Sequence, residues 1–188
     1  MDQFNHDFAS HWDELVGWEK RSEENIMFIV KLLEKFNCND ILDVALGTGF
    51  HAISLLGLDF SVTGVDISQA MINIAKQNSI KHSVRLNVIC SDWVNIQSKL
   101  HKKFDCIICL GNSFACENDK NKRKLSIENW SKLLNDNGII IVDRRNYELL
   151  LKGDDIISSR KLYFGKSVKI VPKKITSCET IFHYSFSD

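Results

Sequence analysis

Five short apolar runs constrain this chain more than any other feature. They lie at about residues 41–45, 60–65, 84–89, 104–110 and 139–143, and each ends in a turn. Strand, turn and helix alternate at intervals of 20–30 residues. Parallel strands need long crossovers, so this rhythm predicts an α/β fold: a parallel sheet with helices on both faces and right-handed connections. Ile26, Ile29, Val30 and Leu33 recur at i, i+3, i+4 and i+7, which predicts an amphipathic helix over 20–36. Further helices are expected at 7–17, with Phe8, Trp12 and Leu15, at 50–57, at 69–78 with Ser68 as N-cap, and at 121–134. Asn137-Gly138 is expected to close the last of these and open the fifth strand. Past Arg145 the texture changes. Residues 155–164, 166–171 and 178–186 are β-rich and alternate, which predicts an antiparallel meander or small lid sheet.

Composition excludes several classes. The chain has 188 residues, 44% of them apolar and 26% charged, as in a globular domain able to bury a core. Lys+Arg and Asp+Glu are both 24, so bulk charge does not drive nucleic-acid binding. The balance hides an asymmetry: residues 1–50 carry 4 basic and 10 acidic groups, and residues 120–188 carry 14 basic and 8 acidic. Two solvated faces account for it most simply. No apolar run approaches the roughly 18 residues of a membrane helix. The start, Met1-Asp2-Gln3-Phe4-Asn5-His6, has neither a basic n-region nor an apolar h-region. A cytoplasmic protein is expected. Cys106 and Cys109 form C-x-x-C inside an apolar run, where residues three apart face opposite sides of a strand. With no second ligand pair, buried thiols in a reducing compartment are expected rather than a metal site. The single proline, Pro172, and the absence of repeats leave no obvious linker.

In an open parallel sheet, ligands bind beyond the carboxyl ends of the strands. Four such ends carry unusual residues. The first is Asp43-Val44-Ala45-Leu46-Gly47-Thr48-Gly49, where glycines permit a tight turn and close approach to the backbone. The second is Asp66, a carboxylate able to accept both hydroxyls of a ribose. Asp92-Trp93 offers an acceptor for an adenine amino group and a ring to cover its face. Leu110-Gly111-Asn112-Ser113-Phe114 stands at the mouth. Gly47-x-Gly49-x-x-Ala52 alone also fits a dinucleotide fingerprint, and Asp66 would suit NAD. An acid four residues before the first glycine resembles instead the pattern of class I S-adenosylmethionine methyltransferases.

The segments DVALGTGFHAISLL, FSVTGVDIS, FDCIICLGNSFA and VDRRNYELL, in this order, resemble the glycine/sarcosine N-methyltransferase family. WDELVGWEKR at 12–21 resembles its N-terminal helix and loop, and ICLGNSF (108–114) and RNY (145–147) are the most telling pieces. The resemblance implies a Rossmann-like three-layer sandwich with a small antiparallel lid. Its parts would be a helical cap at 1–38, a cofactor-binding core at 39–150 and a lid at 151–188. It implies S-adenosyl-L-methionine as cofactor, and glycine or sarcosine as the small-molecule substrate. Arg21 would hold the methionyl carboxylate, with Trp12 nearby. The backbone of Ala45 and Leu110 would meet the methionyl amino group. Asp43, Gly47 and Gly49 would shape the loop. Asp66 would bind the ribose, Asp92 and Trp93 would contact the adenine, and Ile67 and Met71 would belong to the cofactor site. Asn112 and Arg145 would grip the substrate carboxylate, with room at Gly111 and support from Tyr147.

The resemblance implies no metal and no covalent nucleophile, and no side chain is assigned a catalytic role. Blander readings stand beside these. Asp43 serves most simply as an acceptor for loop N–H groups, Trp12 and Trp93 as core residues, Arg21 as a surface ion-pair partner, Arg145 as half of a solvated basic pair, and Tyr147 as packing. Leu46, Cys116, Phe4 and Tyr163-Phe164 depart from the family's pattern. The chain also ends where the family continues, so a truncated form is expected. Its fifth strand would lack an outer partner, leaving that edge to a second copy of the chain or to low stability. A methyltransferase for another small amine or for RNA is the runner-up. A chain that binds adenosyl ligands without turnover is a further alternative.

Overall fold

The computed structural model describes residues 6–18, 23–148, 166–175 and 180–186. Arg21, Phe4, Tyr163-Phe164, Cys178 and the β-rich stretch expected at 155–164 lie outside the described residues. The elements run α1 (His6–Val16), α2 (Glu23–Lys35), β1 (Asp40–Asp43), α3 (Phe50–Leu56), β2 (Ser61–Asp66), α4 (Gln69–Lys81), β3 (Asn87–Cys90), β4 (Phe104–Cys109), α5 (Lys120–Lys132), β5 (Leu134–Val142), β6 (Val168–Ile175) and β7 (Thr180–Phe186). Short 3₁₀ turns occupy Ile96–Ser98 and Ser113–Cys116.

Two compact units result. One comprises Met1–Ala9 with Arg21–Arg144, the other Ser10–Lys20 with Arg145–Asp188. The first holds an all-parallel sheet in the order β3-β2-β1-β4-β5. The chain winds outward from β1 to β3, then returns to β4 on the other side. The sheet's switch point therefore lies between β1 and β4, where ligands settle in folds of this kind.

The sequence rhythm builds this sheet for simple reasons. Strands covered on both faces must be apolar throughout, and Ile41, Leu42, Ile107 and Ile108 are fully buried. One core layer joins Leu42, Val44, Val65, Phe104, Ile107 and Trp130. On α2 the periodic set Ile26, Ile29, Val30 and Leu33 is buried as the spacing requires. Ser68 caps α4, its hydroxyl accepting from the Met71 N–H at 3.3 Å. Asp119 caps α5 by accepting from the N–H groups of Asn121 and Lys122. That carboxylate offsets the cations Lys120, Lys122, Arg123 and Lys124, which the helix dipole disfavours at this end.

Asn137-Gly138 does not end α5. The helix closes at Leu133, and β5 already runs from Leu134. Asn137 sits inside β5 at φ 65°, a left-handed conformation that asparagine tolerates. It lies in a bulge where the β4–β5 pairing jumps from Phe104↔Leu134 to Cys106↔Ile139. Asp105 organises the place, its carboxylate accepting from the N–H groups of Asn39 and Asp40 and from the Asn135 amide at 3.0, 2.9 and 2.8 Å. Those hydrogen bonds from Asp40, Asn39 and Asn135 hold the Asp105 carboxyl below its usual range. Beyond β5, among the described residues, no further strand pairs, and Val142 is exposed. Cys106 and Cys109 are buried on β4, and burial pushes both thiols well above the usual cysteine range.

In the second unit β6 and β7 pair antiparallel, from Val168↔Phe186 to Ile175↔Thr180. The register shifts between Pro172 and Lys174, where proline brings no N–H to the ladder. The Glu14 carboxylate accepts from the Ser167 N–H at 3.0 Å and from its hydroxyl. His11 stacks on Phe186 at 4.8 Å.

The bulky Leu46 in the glycine loop has its counterpart on β2. A Cβ on Gly64 would stand 2.6 and 2.8 Å from the two Leu46 methyls, so only glycine lets this buried leucine lie against the strand. Gly64→Ala is expected to lower stability by about 1–2 kcal/mol in urea denaturation. Combined with Leu46→Ala, the loss should be smaller than the sum of the two single losses, by about 1 kcal/mol.

Candidate active site

The carboxyl ends of the five parallel strands form one rim, and four of them carry an aspartate at or just beyond the strand. At the end of β1, Asp43 is buried, and its carboxylate accepts from the Ala45 N–H at 3.0 Å. The chain then turns through Gly47 at φ 54° and Gly49 at φ 94° into α3. Asn78 of α4 donates to the Thr48 carbonyl at 3.1 Å and pins the loop from the side. The Thr48 hydroxyl is itself buried and has no hydrogen-bond partner. His51 stands half-buried, edge-on to Phe50.

At the end of β2, Asp66 reaches across to the same loop. One oxygen accepts from the Gly47 N–H at 2.7 Å, the other from the Ser68 N–H at 2.8 Å. Ile67 follows, an apolar side chain that is 63% exposed. Met71, by contrast, is buried. Beyond β3, Asp92 accepts from the Asn95 N–H at 2.7 Å and from its side-chain amide at 2.9 Å, which closes the turn that presents Trp93. The Trp93 indole N–H donates to the Val44 carbonyl at 2.6 Å. Its ring meets Trp130 edge-on at 5.3 Å and lies 6.1 Å from Phe114. With its N–H committed, Trp93 has only its ring to offer a ligand.

At the end of β4, Leu110 is buried and its carbonyl accepts from the Ser113 hydroxyl at 2.9 Å. Gly111 (φ 75°) and Asn112 (φ 67°) are both left-handed, and no atom lies within 4 Å of the place a Gly111 Cβ would take. Their N–H groups donate to the two oxygens of Asp143, at 3.0 and 2.7 Å. Asp143 escaped the sequence reading. Its signal was its position, just past an apolar strand like Asp43 and Asp66.

The fold thus brings Asp43, Ala45, Gly47, Gly49, Asp66, Ile67, Asp92, Trp93, Leu110, Gly111 and Asn112 to one end of one sheet. Trp12, Arg145 and Tyr147 belong to the second unit. There Trp12 is half-buried, the Arg145 guanidinium lies 4.7 Å over the Phe182 ring, and the Tyr147 N–H donates to the Arg145 carbonyl. An open cavity of about 260 Å³, lined by Phe36, Cys38, Asp105 and Asp136 among others, lies at the opposite end of the sheet.

Asp43 has an unusual protonation state. Burial pushes its carboxyl up to about 7, against the pull of the Ala45 N–H and with a further push from the Asp66 charge. An unfolded aspartate titrates near about 3.9. Between those values the folded chain keeps a proton that the unfolded chain has lost, so stability falls as pH rises through this window and levels off above it. Asp43→Asn should remove this slope. Relative to wild type it should gain up to about 4 kcal/mol between pH 4 and pH 8, read from urea denaturation at each pH.

Residues 41–138 match the family model described as Methyltransferase domain. The chain is 36% identical over 188 residues to the glycine/sarcosine N-methyltransferase of Parasynechococcus marenigrum (strain WH8102), covering 99% of this chain and 67% of the relative. It is 35% identical over 183 residues to the glycine/sarcosine N-methyltransferase of Aphanothece halophytica, covering 96% and 68%. It thus spans about two thirds of the length of these relatives. A solved S-adenosylmethionine-dependent methyltransferase from Clostridium acetobutylicum ATCC 824 superposes with a TM-score of 0.68 at 20% identity, covering 97% of this chain and 81% of that one. That likeness shows the fold, the class I methyltransferase sandwich around a parallel sheet. With a catalytic-domain match over half its length and relatives of one name along nearly all of it, the chain belongs to the glycine/sarcosine N-methyltransferase family.

Proposed function

We propose that this chain transfers a methyl group from S-adenosyl-L-methionine to the nitrogen of glycine, and of sarcosine in turn. The observation that carries the reading is the paired loops at the switch point. The glycine loop after β1 and the Gly111-Asn112 loop after β4 face the same end of the sheet, in a chain of this family.

The residues present fit the cofactor. The Thr48 hydroxyl is a buried, unmatched polar atom within the glycine loop. Asp66 and Asp92 are acceptors held at the strand ends, and Ile67 offers exposed apolar surface. Asp66 would take the ribose hydroxyls. Asp92 and the ring of Trp93, with Ile67 and Met71 alongside, would hold the adenine. The backbone of Ala45 and Leu110 would meet the methionyl ammonium, within reach of the Asp43 carboxyl. Arg21 would hold the methionyl carboxylate, with Trp12 nearby. When bound, the cofactor supplies an electrophilic methyl group on a sulfonium.

The chain's own residues bind, orient and exclude water. Arg145 offers a planar fork that matches a carboxylate, and Asn112 adds an amide donor. Holding glycine by its carboxylate leaves its amine free and fixes its direction. Desolvation then favours the neutral, nucleophilic amine, so no side chain is needed as a base. Gly111 leaves room, and Tyr147 supports Arg145. In this reading residues 1–38 act as a cap, 39–150 as the binding core, and 151–188, with the β6–β7 pair, as the substrate cover. No helix among the described residues is long and apolar enough to cross a membrane, in keeping with a cytoplasmic enzyme.

S-adenosylmethionine is expected to raise the melting temperature and NAD to leave it unchanged; stabilisation by NAD alone would overturn the reading. Asp66→Ala should weaken cofactor binding by about 1–3 kcal/mol in calorimetry, through lost hydrogen bonds to a charged acceptor. Arg145→Lys keeps the charge but loses the fork. It should raise KM for glycine by about tenfold or more while cofactor affinity stays at the wild-type value. A methyl-transfer assay with glycine, sarcosine and dimethylglycine checks both the variant and the substrate.

A further inference from the structure

We infer that Asp143 is a positioning residue for substrate recognition: by clamping two consecutive backbone N–H groups, it sets the direction in which Asn112 presents its side chain. The inference rests on the reading of Asn112 as a ligand of the substrate carboxylate.

Several of the left-handed non-glycine residues have ordinary causes. Asn37, Asp59 and Ser83 each follow the end of a helix, where the chain commonly turns through this conformation. Asn137 sits in the β5 bulge. Asn112 has neither cause. It follows a strand, at the ligand-binding end of the sheet, directly after left-handed Gly111. Two left-handed residues in succession turn both N–H groups to one side. On that side stands one carboxylate, with Oδ2 accepting from Gly111 at 3.0 Å and Oδ1 from Asn112 at 2.7 Å.

The clamp is anchored at its other end. Asp143 follows β5 directly, and its own N–H donates to the Cys109 carbonyl at 3.3 Å, extending the β4–β5 pairing by one step. Asn112 stands at the N-cap of the 3₁₀ turn Ser113–Cys116. Its backbone dihedrals set the direction of the Cα–Cβ bond that carries the carboxamide, and Asp143 holds those dihedrals. An asparagine at 143 could accept only one of the two N–H groups, because its amide nitrogen would oppose the other with a donor.

The test is steady-state methyl transfer to glycine, with cofactor affinity from calorimetry, for wild type, Asp143→Asn, Asn112→Ala and the double variant. Asp143→Asn should raise KM for glycine about tenfold, the scale of one hydrogen bond to a charged group, with kcat and cofactor affinity within about twofold. In the Asn112→Ala background the same change should alter KM by less than about twofold, because Asp143 acts through Asn112. Amide hydrogen exchange at Gly111 and Asn112 should be faster in Asp143→Asn than in wild type. An unchanged KM would overturn the inference, and so would an equal effect in both backgrounds or unchanged exchange at the two amides. A loss of folded stability and of cofactor affinity in parallel with the rise in KM would overturn it too, assigning Asp143 to stability. No transfer to glycine by wild type would overturn the functional reading and this role together. Transfer by wild type with any of the preceding failures would overturn this role alone.

Discussion

The site depends on one carboxylate that is held before any ligand arrives. Asp66 accepts from Gly47 on one side and from Ser68 on the other. It thereby ties the glycine loop after β1 to the start of α4, across the gap between two strand ends. Without it, two turns rich in left-handed or extended backbone would have to be ordered at the moment of binding, at a cost in entropy. The same device recurs around the rim. Asp43 accepts from Ala45, Asp92 from Asn95, and Asp143 from Gly111 and Asn112. Each carboxylate shapes a loop, and the result is a rim that is preorganised before any ligand arrives.

The environments of these acids differ, and so do their charges. Asp105 lies at the opposite end of the sheet with three donors around it, and its carboxyl is held low. Asp43 is buried with one donor, beside the Asp66 charge, and its carboxyl is pushed up to about 7. Burial raises the Asp43 carboxyl, and the converging donors lower that of Asp105. A cation near Asp43 would favour its ionised form.

The fold was legible because a buried parallel sheet has a strong local signature. Runs such as Ile107-Ile108 between turns, and the α2 stripe from Ile26 to Leu33, leave few other ways to bury their side chains. The Ser68 cap was legible for the same local reason. Asn137-Gly138 was misread as a helix stop because its cause is not local. It is a bulge organised by Asp105, some thirty residues earlier in the chain. The loop geometry was legible where spacing speaks, in the tight turn of Gly47 and Gly49 and in the strand ends at Asp43 and Asp66. Asp143 was not, since an aspartate before two arginines looks like any solvated charge until β5 is laid beside β4.

By itself, then, the sequence determined the order and type of the elements, the parallel sheet and the strand ends that carry chemistry. These follow from hydrophobic period and turn chemistry, which act over a few residues. Only the tertiary structure decided which acceptors meet which donors. Leu46 seated against Gly64, Trp93 committed to the Val44 carbonyl, Asp66 across to Gly47 and Asp143 across to Asn112 are all contacts between separate strands and loops. Hydrogen bonds and close packing act over about 3–4 Å, and residues far apart in the chain come within that distance only once the sheet has formed.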